Sequence, residues 1–292
     1  MRARLVLATL AAACLSAPVV MRAQSPQDPE AVLDRIARHV LDYYSRAQSL
    51  MSRETVDVQA INPDFSMIGT ATRYAYQLRL EWTPPENGEA PQATMIRELL
   101  TVNGRKPRPK DEPKCTQPRE TWTEPLGMFL PDGRREYDFK WSGAGRMDGR
   151  ATVSLDFRSK PVEDEEPETT WGKSGEDACL SLTIPGRMKG RVWADAETGE
   201  VLRLDQTVPG LIEVKVPSEQ QQFWHAPWLV MERSDTSIRY KRVRFEDPDE
   251  ELMLPTSIQS LTMWRGGGSR PLRKTQTFKD YRRFLTGGRL IE

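Results

Sequence analysis

Histidine is nearly absent from this chain of 292 residues, and cysteine is scarce. There are two histidines, His39 and His225, and three cysteines, Cys14, Cys115 and Cys179. Beyond Cys14 only two cysteines remain, and two ligands alone do not make a zinc site where histidine is nearly absent. No Gly-x-Ser-x-Gly elbow, glycine-rich phosphate loop or His-Glu-x-x-His helix occurs, so the common nucleophile, nucleotide and metalloprotease signatures are missing. The acidic stretch Pro161–Thr170 lacks the spacing and central glycine of a helix–loop–helix calcium motif and reads as a solvated loop. No metal and no cofactor are expected.

What is present begins with Arg2 and Arg4, an apolar run from Leu5 to Ala13, and Met21-Arg22-Ala23 ahead of Gln24. A positive start, a short apolar stretch and a small residue at the cut are the layout of a signal peptide. Residues 1–23 are therefore expected to be removed, leaving 24–292 in the periplasm or outside the cell. The run is too short to span a bilayer as a helix, which takes about 20 apolar residues. Leu10-Ala11-Ala12-Ala13-Cys14 offers a second reading, a bacterial lipoprotein site with lipid on Cys14, although Ala11 stands where a Leu is usual. Cleavage after Ala23 removes three arginines from a chain balanced at 42 basic and 42 acidic residues. The mature chain is then slightly negative, which argues against a nucleic-acid partner. An exported chain left with Cys115 and Cys179 is expected to join them in a disulfide.

Asp28-Pro29-Glu30 starts a helix, because Asp28 can cap it and Pro29 suits the first helical position. Leu33, Ala37, Val40, Tyr44 and Ala47 form one apolar stripe, widened by Val32, Ile36 and Tyr43. The period then changes to two. Val56, Val58 and Ala60 mark one strand. Tyr74, Tyr76, Leu78, Leu80 and Trp82 line one face of the clearest strand, with Arg73, Gln77, Arg79 and Glu81 on the other. Asn103-Gly104 is a turn signal. Segments 107–125 and 161–175 read as long loops. Short strands are expected at Tyr137–Trp141 and Ala151–Phe157, and again near Leu180. A hairpin runs over 190–207 with Gly199 in the left-handed position, and Ile212–Val216 is another strand. The apolar phase slips between Ile238/Tyr240 and Val243/Phe245, which predicts a bulge near Lys241. Leu261–Trp264 and Lys274–Phe278 complete a mainly β, antiparallel chain without βαβ alternation.

Gly190-Arg191-Val192-Trp193-Ala194-Asp195 and Thr198-Gly199-Glu200-Val201-Leu202-Arg203 resemble a segment of outer-membrane lipoprotein-sorting (LolA-like) proteins. Leu254-Pro255 before a strand, and Phe278-Lys279-Asp280-Tyr281-Arg282-Arg283-Phe284 at the end, are similar to the late strands of that superfamily. The resemblance covers mainly 186–286. It implies a curved antiparallel sheet, an incomplete barrel, with the N-terminal helix on its concave side, and a protein that binds lipid or a lipidated partner and does not catalyse. It assigns no cargo-binding residue here.

From the residues, an apolar ligand site is expected between the helix face of Leu33, Ile36, Val40 and Tyr44 and the strand face of Tyr74, Tyr76, Leu78, Leu80 and Trp82. Trp193, Phe223, Trp224 and Trp228 are expected at its rim. The same side chains could instead pack as core, which would leave an envelope scaffold or interaction domain without a small ligand. His39 is expected to pack half-buried, and Asp195 and Asp205 to serve structure rather than hydrolysis. The basic run Arg239, Lys241, Arg242 and Arg244 reads as the exposed side of a strand. Peripheral association with a membrane is compatible with this reading, and the oligomeric state is left open.

Overall fold

The computed structural model describes residues 28–47, 49–83, 92–111, 125–162, 166–171, 180–184, 186–267 and 270–283. The expected signal segment with Cys14, the two mature cysteines and Phe284 lie outside these residues. Among the described residues there are three helices, α1 (Pro29–Arg46), α2 (Pro131–Arg134) and α3 (Ser218–Trp224). The strands are β1 (Ser49–Ala60), β2 (Thr72–Thr83), β3 (Gln92–Val102), β4 (Tyr137–Met147), β5 (Arg150–Ser159), β6 (Glu168–Trp171), β7 (Leu180–Thr183), β8 (Lys189–Asp195), β9 (Val201–Thr207), β10 (Ile212–Lys215), β11 (Trp228–Glu246), β12 (Asp249–Arg265) and β13 (Leu272–Arg283). Eleven strands make one sheet in the order β3-β2-β1-β13-β12-β11-β9-β8-β5-β4, with β10 added to β11, while β6 and β7 pair apart. Every pairing between named strands is antiparallel.

The expected disulfide needs correction: no bond joins any of the three cysteines. The expectation rested on number and compartment alone. A disulfide also requires Cα atoms within about 7 Å, and spacing along a chain cannot supply that.

Helix α1 forms where the cap and stripe placed it. The Asp28 carboxylate accepts from Glu30 N–H at 3.1 Å, and Pro29 occupies the first turn. Val32, Leu33, Ile36, Ala37, Val40, Tyr43 and Tyr44 are all buried. All but Ala37 join Leu78, Leu80 and Trp82 of β2, Val153, Leu155 and Phe157 of β5, Val192 of β8 and Leu204 of β9 in one cluster. A 3-10 turn at Pro125–Phe129 adds Leu126, Met128 and Phe129 to it. A second cluster of Ile212, Val214, Val216, Leu229 and Met231 is packed by Trp171, Leu180, Leu182 and Trp224. The small β6–β7 sheet and α3 therefore cover a different part of the main sheet from the part under α1.

The hairpin β8–β9 turns through Gly199 at φ +78°. A Cβ there would lie 2.6 Å from the backbone carbonyl of Arg35, so the turn rests directly on the α1 backbone. Gly190, the first residue of the resemblance segment, is restricted by packing instead. Its missing side chain leaves room for the Phe157 ring of β5 and for the carbonyl of Asp205. The expected bulge sits between Arg239 and Tyr240, where pairing jumps from Ser257 to Pro255. The extra residue, Thr256, is on β12 rather than on the strand whose pattern slips. The strand expected at 137–141 continues to Met147, past a register shift at Trp141/Gly143.

Candidate functional site

Strand alternation gives the sheet two different faces. Val192, Leu204 and Ile238 point to the α1 side and are buried. Their neighbours Arg191, Asp205 and Ser237 point the other way. The pairings set these neighbours in one row across the sheet, Lys140–Asp156–Arg191–Asp205–Ser237–Gln259. A second row runs Asp138–Arg158–Lys189–Thr207–Asp235–Leu261–Arg273. Between them lies an open groove of about 990 Å³ on the face opposite α1, and these residues, with Trp193, line it.

Charge in the groove is partly paired. Arg191 holds Asp156 with two hydrogen bonds, Nε–Oδ1 2.5 Å and Nη2–Oδ2 3.1 Å. Arg203 holds Asp205 at 2.8 and 2.7 Å, and Ser237 Oγ donates to the same carboxylate at 2.6 Å. The Arg191 and Arg203 guanidinium carbons stand 5.7 and 5.0 Å from the Trp193 ring centroid. Arg191 keeps the Asp156 carboxyl below its ordinary range, chiefly through their hydrogen bond. Thr207 donates to Asp235 at 2.6 Å. Among the described residues no carboxylate pairs with Lys140, Arg158, Lys189 or Arg273.

The residues expected to enclose an apolar cavity divide. Leu33, Ile36, Val40, Tyr44, Leu78, Leu80 and Trp82 meet in the main buried cluster. Tyr44 lies edge-on to Trp82 at 4.9 Å. Tyr76 is buried and Tyr74 half-buried, with their rings stacked at 6.3 Å. Trp193 lies on the opposite face, in the groove. Trp224 joins the second cluster beside Trp171. Phe223 and Trp228 are exposed. His225 ends α3 in the left-handed conformation and is exposed.

Two polar groups were not singled out by the sequence pattern. The first is Glu54, 0% exposed on the α1 side of β1. It accepts from Arg97 Nε at 2.7 Å, Arg97 Nη2 at 2.9 Å and Gln276 Nε2 at 2.8 Å. Burial and then the nearby Arg97 push the Lys274 ammonium below its ordinary range, against the pull of Glu54. The second is a set of ion pairs, some in the β8–β9 hairpin that rests on α1 and some on α1 itself. Arg150 binds Asp195 at 2.8 Å and also Glu200, which Arg242 holds at 2.8 Å. Arg46 meets Glu250 at 3.1 Å, and Arg283 bonds both Glu250 and the Arg46 carbonyl. Arg134 reaches Asp34 at 2.8 Å. Asp195 also accepts from the N–H groups of Glu197 and Thr198 at 3.0 and 2.8 Å, so it builds the turn. Within the basic run, Arg242 thus has a structural partner.

His39 is half-buried on α1. Burial lowers its pKa, outweighing Glu200 and Asp42, which raise it. A folded pKa below the unfolded value near 6.5 means that the unfolded chain binds protons first. Stability should therefore fall as pH drops below about 6.5. Urea midpoints measured between neutral and mildly acidic pH should show this fall, and His39→Gln should flatten it. An equal slope in the variant would remove His39 as its source.

Among the described residues, no three or more His, Cys, Asp or Glu side chains are placed to hold a metal ion, and no helix is long and apolar enough to cross a membrane. No family model and no curated protein matches the chain. Solved structures show a weak, low-identity similarity over most of its length. A putative outer membrane lipoprotein-sorting protein domain from Vibrio parahaemolyticus is 9% identical, with TM-score 0.45, covering 90% of this chain and 96% of that one. A LolA superfamily protein from Nitrosomonas europaea is 11% identical, with TM-score 0.34, covering 89% and 96%. A DUF1329 family protein from Desulfovibrio piger is 9% identical, with TM-score 0.40, covering 90% and 96%.

Proposed function

We propose that this is a non-catalytic binding protein of the cell envelope whose ligand is a lipid or a lipidated partner, held in the groove opposite α1. The observation that carries this reading is the groove itself: about 990 Å³ of open space, with Trp193 in its lining and apolar side chains exposed at one end. Phe65 and Met67, at the β1–β2 turn, are exposed. Arg233 links this turn to the groove, lying 5.4 Å from the Phe65 ring and bonding Asp235 at 2.5 Å. A groove lined mostly by charged and polar side chains, with Trp193 and Leu261 among them and exposed apolar side chains beyond one end, suits an amphiphile rather than a wholly apolar ligand. The side chains under α1 are core in this reading, and they hold the sheet that presents the groove.

The runner-up is an interaction domain without a small ligand. It draws support from Phe223 and Trp228, which are 60% and 50% exposed beside the second cluster. Native mass spectrometry, with lipid extraction, on protein purified from the envelope without detergent separates the two. Stoichiometric lipid is expected, and Trp193→Ala should lower its occupancy. A ligand-free spectrum would put the interaction domain in front.

A further inference from the structure

We infer that the β4–β5–β8 end of the groove, formed by Lys140, Arg158 and Lys189, binds a phosphate group. The inference rests on the groove being the ligand site and adds the chemistry of the headgroup. Arg158 and Lys189 stand directly opposite each other across β5 and β8. Like charges in that position destabilise a sheet. Lys140 lies on β4 opposite Asp156, but Asp156 is already held by Arg191 through both of its oxygens. Asp138 is opposite Arg158, yet no ion pair joins them among the described residues. In the neighbouring row charge alternates as Lys140, Asp156, Arg191 and Asp205, so the sheet uses cross-strand neutralisation and omits it here. Arg158 and Lys189 are about 5 Å apart on adjacent strands and Lys140 is a diagonal neighbour of Arg158 at about 7–8 Å, a spacing that long cationic side chains can close around an anion with several oxygens and more than one negative charge. Arginine grips such a group with two parallel N–H bonds, and lysine adds a mobile point charge.

The row continues from Arg158 and Lys189 through Thr207, Asp235 and Leu261 to Arg273. Five strand spacings make about 24 Å. The exposed Phe65 of the β1–β2 turn, beside Arg233, lies toward that far end. A phosphate at one end and apolar surface at the other fit a phospholipid laid across the strands. Free phosphate or a soluble phosphoester would use the same three cations.

The test is co-sedimentation of the full mature chain with vesicles of phosphatidylcholine alone and of equal parts phosphatidylcholine and phosphatidylglycerol, with inorganic phosphate added as competitor. Its proteins are the wild type, Lys189→Glu, Arg158→Glu and the control Lys106→Glu, an exposed cation outside the groove. Removing one charge-assisted contact should weaken binding about tenfold or more. Lys189→Glu and Arg158→Glu should therefore lose the acidic vesicles, and Lys106→Glu should not. Lys189→Glu should also raise the thermal midpoint by about 1–4 °C, because a repulsive pair becomes an attractive one. A fold merely damaged by the substitution would melt earlier instead. Competition by inorganic phosphate identifies free phosphate as a sufficient ligand. Binding to acidic vesicles that phosphate does not displace identifies the lipid headgroup.

Equal binding of wild type and both groove variants, or equal binding to neutral and acidic vesicles, overturns the inference. Neutral lipid co-purifying with the protein, unchanged in Lys189→Glu, would leave the lipid-binding reading standing and end this one. Phosphate binding that Lys189→Glu abolishes, in a protein that takes up no lipid, would do the reverse.

Discussion

Glu54→Ala is expected to cost about 3–5 kcal/mol of folding stability, because it breaks a buried ion pair from one side. The carboxylate is 0% exposed and takes both arms of Arg97 and the amide of Gln276. Without it, Arg97, whose side chain is 10% exposed, stays in a dry setting beside the already disfavoured Lys274 ammonium. Glu54→Gln keeps a carbonyl for Gln276 but no charge for Arg97, so it should fall between the two. Arg97→Met with Glu54→Met should recover much of the loss, since replacing a buried pair by apolar residues of similar size is often neutral. Urea denaturation of the four proteins reads this directly. A loss of under 1 kcal/mol in Glu54→Ala would mean that water reaches the pair.

Gly190→Ala is expected to lose about 3 kcal/mol, at the upper end of overpacking costs. The new methyl would stand 2.0 Å from the Asp205 carbonyl oxygen and 2.5 Å from Phe157 Cζ. The ring could move, but the carbonyl belongs to the adjoining strand β9 and cannot. Adding Phe157→Leu should therefore fail to rescue the variant. Gly145→Ala is the control, since its nearest neighbour would be Thr152 Oγ1 at 3.7 Å, and its thermal midpoint should stay close to wild type. If Phe157→Leu restores Gly190→Ala, the ring rather than the backbone sets the requirement.

Local features were legible in the sequence where local physics decides them. Helix α1 follows from Asp28, Pro29 and a stripe at three and four. The face of β2 follows from strict alternation, and the β8–β9 turn from a glycine that must adopt positive φ. What could not be read depends on register between distant strands. Glu54 shares the phase of Val56, so its inward direction is implied by alternation. Its partner Gln276 is 222 positions away, however, and nothing short of the β1–β13 pairing brings them together. The groove was hidden for the same reason. Asp156, Arg158, Lys189 and Arg191 each look like the wet side of a strand, and only the pairing turns them into rows. The tryptophans expected at one rim do not share one place. Trp193 faces the groove, Trp224 fills the second cluster and Trp228 meets solvent, because side-chain facing is set by strand and helix register that composition does not carry. The β4 strand was undersized because Gly143 and Gly145 weaken the alternation that marks its first half.

The ion pairs on α1 bear on how quickly a ligand could ever pass beneath it. Lifting the helix would bare Val32, Leu33, Ile36, Val40, Tyr43 and Tyr44, at about 1.5–3 kcal/mol for each large apolar side chain. The total is on the order of 10 kcal/mol before any ion pair is broken. With each 1.4 kcal/mol worth a factor of ten, the raised state would be populated at roughly one part in ten million. Opening at that level belongs with global unfolding rather than with the gating of a site. The amide protons along α1 should then exchange with solvent no sooner than those of the central strands, and traffic of a ligand on a useful timescale is left to the face where no helix has to move.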